Sequence, residues 1–257
     1  MSGPLRRLAP VTLLVLLLAV WEIACRGLTV PAYFLPAPSA IGAALVRSWP
    51  LLLSSAGVTF GMSLWALVVA SLIATSIALA VSLNSLLDDA VRPLAVALQV
   101  TPVVAIAPQI SIWAGLAHAD RAVVALAAIV AFFPIFSGAL TGLRSADPDL
   151  ERLFDLYSAS PTQRLLRLRV PAATPYLLEA LKVAAGLAVV GAVVAEFVAG
   201  SGQTEGLAWR ISEASNRLQT AEEFAALAVL AVLGFMLHAA LETLQRVVLQ
   251  RWSGRAR

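Results

Sequence analysis

Residues 147–171 read DPDLERLFDLYSASPTQRLLRLRVP, a polar stretch held between long apolar runs. Asp147 followed by Pro148 forms a helix-start pair: the carboxylate accepts from an early backbone N–H, and proline sits where no N–H is needed. Leu150, Leu153, Phe154 and Tyr157 then fall at i, i+3, i+4 and i+7, which makes one apolar stripe. Ser160 starts a second helix, with Pro161 at its first position and Gln163 completing a capping box. Leu165, Leu166 and Leu168 give that helix an apolar side, Arg164 and Arg167 lie beside it, and Pro171 limits its continuation. The segment reads as two short helices joined near Ser158-Ala159. A membrane protein that orders a polar loop of this length presents it to a partner.

The surrounding chain explains why a membrane is the frame. Of 257 residues, 60% are hydrophobic and 13% charged, against about 25% charged in a soluble domain. Apolar runs of about 20 residues recur along the chain, the length needed to span a bilayer as helix. Backbone groups in lipid must be satisfied within their own segment, and the alternation of barrel strands is absent, so an all-α membrane protein is expected. The single cysteine, Cys25, excludes an internal disulfide. The arginines form no extended patch with aromatics, so nucleic acid is not an expected partner.

Six spans are predicted, at about Leu8–Cys25, Gly57–Leu83, Pro93–Leu116, Arg121–Leu143, Pro175–Ala199 and Ala221–Val247. The first follows Arg6 and Arg7 and resembles a secretory signal, but Glu22 is wrong for a cleavage pocket, and it reads as a spanning helix. Thirteen of the 18 Lys and Arg residues fall on one side (6, 7, 92, 144, 152, 164, 167, 169, 182, 246, 251, 255, 257). The other five fall opposite (26, 47, 121, 210, 217). The bias places both termini and the 147–171 loop in the cytoplasm. Segments 26–56 and 200–220 fall outside. In the first, prolines 31, 36, 38 and 50 suggest an extended stretch followed by a short helix capped by Ser39. In the second, Leu207, Ile211, Ala214 and Leu218 recur at the spacing of a short interfacial helix. The whole chain, 1–257, is expected to form one transmembrane domain.

The loop resembles the "EAA" pattern in the membrane subunits of ATP-binding-cassette (ABC) importers: an acidic-alanine helix, Gly-Ala-Ser, a second helix and a proline-rich exit. The matching residues are Glu151, then Ser158-Ala159-Ser160, then Val170-Pro171-Ala172-Ala173-Thr174-Pro175. Ser158 stands where the family usually has glycine, Glu151 lies one place before the expected glutamate, and Phe154 replaces an alanine. Phe34-Leu35-Pro36-Ala37-Pro38-Ser39 is similar to the outer motif of the nitrate, sulfonate and taurine branch. Thr101-Pro102, Ala107-Pro108, Trp113-Ala114-Gly115, Phe133-Pro134, Gly142-Leu143-Arg144 and Val194-Ala195-Glu196-Phe197 follow in the family's order. Val190–Gly200 also resembles permeases for thiamine-precursor pyrimidines and riboflavin.

The resemblance implies a type I ABC importer permease fold in the bacterial cytoplasmic membrane. It implies two permease copies, a cytoplasmic ATPase subunit, and a periplasmic or lipid-anchored solute-binding protein. The ATPase-coupling residues it implies are Glu151, Phe154, Tyr157, Ser158, Ala159, Ser160, Pro161, Arg164 and Arg167. A phosphate-binding Walker loop needs a Gly-Lys pair, and the only lysine, Lys182, follows Leu181. ATP and Mg are therefore expected on the partner, and this chain is expected to be neither an enzyme nor a holder of cofactor or metal. The rival reading is an ion-coupled carrier working without an ATPase, for which Glu22 and Glu196 are the intramembrane carboxylates to consider. Candidates for lining the path are Gln99, Thr101, Gln109, Ser111 and Glu196, on spans three and five. Pro102 and Pro108 could kink the third span. Gly138-x-x-x-Gly142 and Gly57-x-x-x-Gly61 permit close helix contact, and His238 and Glu242 are spaced to hydrogen-bond along the sixth span.

Overall fold

The computed structural model describes residues 4–115, 118–199 and 205–253. All regular structure among them is helical: α1 (Pro4–Gly27), α2 (Pro38–Arg47), α3 (Trp49–Leu83), α4 (Ser85–Val100), α5 (Val103–Ala114), α6 (Ala119–Leu143), α7 (Pro148–Leu156), α8 (Pro161–Arg164), a π-helical stretch (Leu165–Arg169), α9 (Val170–Ala199), α10 (Leu207–Asn216) and α11 (Thr220–Ser253). Four helices among the described residues are long and apolar enough to cross a membrane: Trp49–Leu83, Ala119–Leu143, Pro161–Val198 and Thr220–Gln250. Counting the bent pair α4–α5 as one span gives five. The first predicted span falls on α1, a helix of 24 residues that is not among these five.

Two predicted spans change shape. The third, expected from Pro93 to Leu116 with kinks at Pro102 and Pro108, is two helices bent by 100°. The break sits at Thr101, extended at φ −71° and ψ 124°, as a residue before proline prefers. Pro108 lies inside α5 and Pro93 inside α4, while Leu116 is outside the described residues. The second span begins earlier than expected: α3 starts at Trp49, because Pro50 in a first turn costs no hydrogen bond.

The chain forms two compact units, residues 1–57 with 205–231 and residues 58–204 with 232–257. In the first, Ser39 is not the cap expected of it. Ala37 is the N-cap of α2 and makes no side-chain cap bond. The Ser39 backbone N–H donates to Glu22 Oε2 at 2.9 Å, and its hydroxyl donates to Glu22 Oε1 at 2.8 Å. A carboxylate from α1 thus satisfies an early N–H of α2 at its positive end. α10 buries Leu207, Ala208, Ile211 and Ala214, as the periodicity predicted for three of them. Leu218 departs from that pattern: it lies past the helix end, at φ +57°, and is exposed.

The second unit is built on α6 against α9. A Cβ at Gly138 would overlap Ala180 Cβ. One at Gly142 would lie 2.8 Å from Ala173 Cα, and one at Gly191 2.9 Å from Ala127 Cα. These glycines let the two backbones approach closely, and dispersion across a tight seam is what holds helices together where lipid is as apolar as leucine. Around Gly57 and Gly61 a Cβ would meet nothing within 4 Å, so that predicted pair does no such work among the described residues. Asp88 in the first turn of α4 ties to Arg144 at the end of α6 (2.8 Å) and to Arg92 (3.1 Å). Glu242 accepts from Arg246 at 2.5 Å rather than from His238. Glu179 holds Lys182 at 2.7 Å and Gln245 of α11 at 3.1 Å.

Candidate functional site

The 147–171 segment folds as a hairpin whose every turn has a local cause. Asp147 caps α7, its Oδ1 accepting from Asp149 N–H at 2.8 Å. Ser160 caps α8, and both halves of the capping box form: Gln163 N–H donates to Ser160 Oγ at 3.2 Å, and Ser160 N–H donates to Gln163 Oε1 at 3.0 Å. Between the helices, Ser158 N–H reaches the Asp155 carbonyl at 2.9 Å and Ala159 N–H the Phe154 carbonyl at 3.0 Å. These paired bonds form a Schellman ending, which needs a left-handed residue at the position after the cap. Ser158 is that residue, at φ +49°. The glycine expected at this place by the family pattern therefore has a backbone reason, and serine occupies it at a cost of about 1 kcal/mol.

The second helix does not stop at Pro171 as predicted. It runs from Pro161 to Val198 as one helix, with residues 165–169 in π geometry. In an α-helix, the Pro171 ring would strike the Arg167 carbonyl four residues back and leave it without a donor. The wider turn of the π stretch relieves that clash, and such bulges are frequent at functional sites. The hairpin is thus welded to a membrane-length helix.

Ion pairs close the hairpin. Glu151 Oε1 accepts from Arg169 Nε at 2.8 Å, and its Oε2 lies 3.3 Å from Arg164 Nη1. Arg164 also pairs with Asp155. Glu151 and Arg164 are less than a quarter exposed, so these pairs are better shielded than surface ones. Glu151 and Arg164 therefore hold the hairpin together. Phe154, Tyr157, Ala159 and Arg167 line a cleft of about 240 Å³ together with Leu153 and Gln163. Ser158, Ser160 and Pro161 set the turn between its walls. Tyr157 is 80% exposed, and Leu156 and Leu166 also face outward.

The predicted path residues are not gathered in one place. Gln99 lines a cavity of about 240 Å³ with Val103, Val130, Phe133, Pro134 and Leu187. The Thr101 and Ser111 hydroxyls return to the carbonyls of Ala97 (2.7 Å) and Ala107 (2.9 Å), one turn back on their own helices. Gln109 is exposed, and Glu196 is 2% exposed within α9. The sequence reading missed three features. The Asp88–Arg144 tie and the Glu151–Arg169 pair had no local signal. The π stretch had one, in a proline that follows the second capped helix without a turn residue before it.

Residues 67–254 match the family described as "Binding-protein-dependent transport system inner membrane component". A "Probable ABC transporter permease protein" of Haemophilus influenzae is 30% identical over 93% of this chain and 96% of its own. The "Formylaminopyrimidine transport permease protein ThiX" of Halalkalibacterium halodurans is 30% identical over 97% and 98%. Among solved structures, one titled "Crystal structure of an amino acid ABC transporter with histidines" shares the fold, with TM-score 0.64 and 16% identity over 81% of this chain and 97% of that one. With match and relatives both spanning the apolar helices and the hairpin between them, the chain belongs to the inner membrane components of binding-protein-dependent transport systems, the permeases of ABC transporters.

Proposed function

We propose that the chain, as one permease domain over 1–257, works as a pair of copies in an ATP-driven importer of the bacterial cytoplasmic membrane. A solute-binding protein, periplasmic or lipid-anchored, delivers a small solute. The ThiX likeness and the Phe34–Ser39 motif together favour a thiamine-precursor pyrimidine or a nitrate-, sulfonate- or taurine-like anion. A cytoplasmic ATPase holds ATP and Mg and docks on residues 147–171. The observation that carries this reading is the construction of the hairpin: capped at both helix starts, closed by Glu151 and Arg164, and continuous with a helix of 38 residues. Such a part moves as one piece, so a displacement at Tyr157 or Ala159 is passed to the membrane helix instead of being absorbed in a loop. Gln99, Thr101, Gln109, Ser111 and Glu196 remain the residues proposed for the path.

The test is co-purification with the ATPase subunit of its transporter, then hydrolysis in lipid vesicles with and without loaded binding protein. Stimulation by the loaded binding protein is expected. Ala159→Glu, which puts a charge inside the cleft, should lower ATP-driven uptake at least tenfold while leaving membrane insertion intact. Uptake by vesicles that hold this chain and no companion protein would overturn the proposal in favour of an ion-coupled carrier.

A further inference from the structure

The cleft of the hairpin offers a cation rather than the acidic group of its sequence pattern. Segment 147–171 contains four carboxylates and four arginines. Glu151 is taken up by Arg164 and Arg169, and Asp155 by Arg164. Asp149 pairs with Arg152 on the exposed side, and Asp147 caps α7. Arg167 stays on the wall of the cleft with no carboxylate within ion-pair distance among the described residues.

The other polar groups in the cleft have the same sense. Gln163 spends its Oε1 on the Ser160 backbone N–H, which leaves its Nε2 as a donor. Tyr157 brings a phenolic hydroxyl, and Leu153, Phe154 and Ala159 supply apolar walls. A guanidinium, an amide N–H2 and a hydroxyl over an apolar floor match an acceptor-rich anion carried beside an apolar group. A guanidinium recognises a planar carboxylate through paired N–H···O bonds, which strengthen when a docking partner excludes water.

Resting on the docking proposed above, we propose that the ATPase partner enters this cleft with an aspartate or glutamate flanked by an apolar side chain, and that Arg167 receives the carboxylate. Glu151 is not free for this contact, because it is used inside the hairpin. Arg167 is then a specificity-determining residue for the choice of ATPase.

The test titrates the full-length permease in phosphatidylcholine nanodiscs with the ATPase subunit of its transporter at low and high salt. Arg167→Glu should weaken association on the order of tenfold and flatten the salt dependence. Arg167→Gln should fall between, and it stands in if the reversed variant does not insert. Arg152→Glu, outside the cleft, should weaken association less. Lysine placed at the matching carboxylate of the ATPase should restore Arg167→Glu. Equal binding by Arg167→Glu and the unaltered protein overturns the inference while leaving docking in place. A loss seen only when phosphatidylglycerol is added also overturns it, by assigning Arg167 to a lipid phosphate. Failure of the unaltered permease to bind the ATPase at all overturns the docking reading itself.

Discussion

Ser158 concentrates a conflict between residue type and backbone. Its φ of +49° is demanded by the Schellman bonds that end α7, and a side chain there clashes with its own carbonyl. Ser158→Gly should therefore raise the stability of the purified protein by about 1 kcal/mol, less what glycine adds to the freedom of the unfolded chain. Thermal unfolding in detergent would show it as an upward shift in Tm, and a fall in Tm would mean that the serine hydroxyl makes a stabilising bond of its own. The turn itself was legible from Ser158-Ala159 between two capped helices. The inward direction of Glu151 was not, because its partner Arg169 lies eighteen residues on, beyond the reach of any local pattern.

At the scale of elements, the α6–α9 seam is the tightest feature of its unit. Gly142→Leu would drive a branched side chain against the Ala173 backbone and Tyr176 Cβ, neither of which can rotate away. Destabilisation of at least about 1–3 kcal/mol is expected, seen as a lower Tm and a broadened elution profile. Gly61→Leu, in open space, should change stability by less than about 0.5 kcal/mol. Equal effects at the two sites would refute the seam. The sequence marked Gly138 and Gly142 as a small-residue pair, and marked Gly57 and Gly61 just as clearly. Spacing says which residues share a face, and only the neighbour's backbone says whether that face is covered. Likewise, Pro102 and Pro108 both suggested kinks, yet only the first ends a helix.

For the whole molecule, the arginine distribution predicts an orientation, and that prediction can be tested chemically. The single cysteine, Cys25, is buried, and Cys25→Ala gives a silent background. A membrane-impermeant maleimide applied from outside should label an Asn216→Cys variant in α10. It should reach a Thr162→Cys variant in the hairpin only after lysis. The opposite order of labelling would invert the topology and remove the hairpin from any cytoplasmic ATPase.

What the sequence alone determined is what short-range chemistry can encode. The caps at Asp147 and Ser160 and the kink at Pro102 act over one to four residues, and these, with four of the apolar runs read as spans, hold in the structure. So does the family, since its motifs lie in order along the chain. Tertiary structure decided how these parts are used: Glu151 turns inward, Arg167 is left on a cleft wall, and Gly191 meets Ala127. Those outcomes depend on which distant backbone comes within a few ångströms, and that proximity is a property of the folded path rather than of any local stretch.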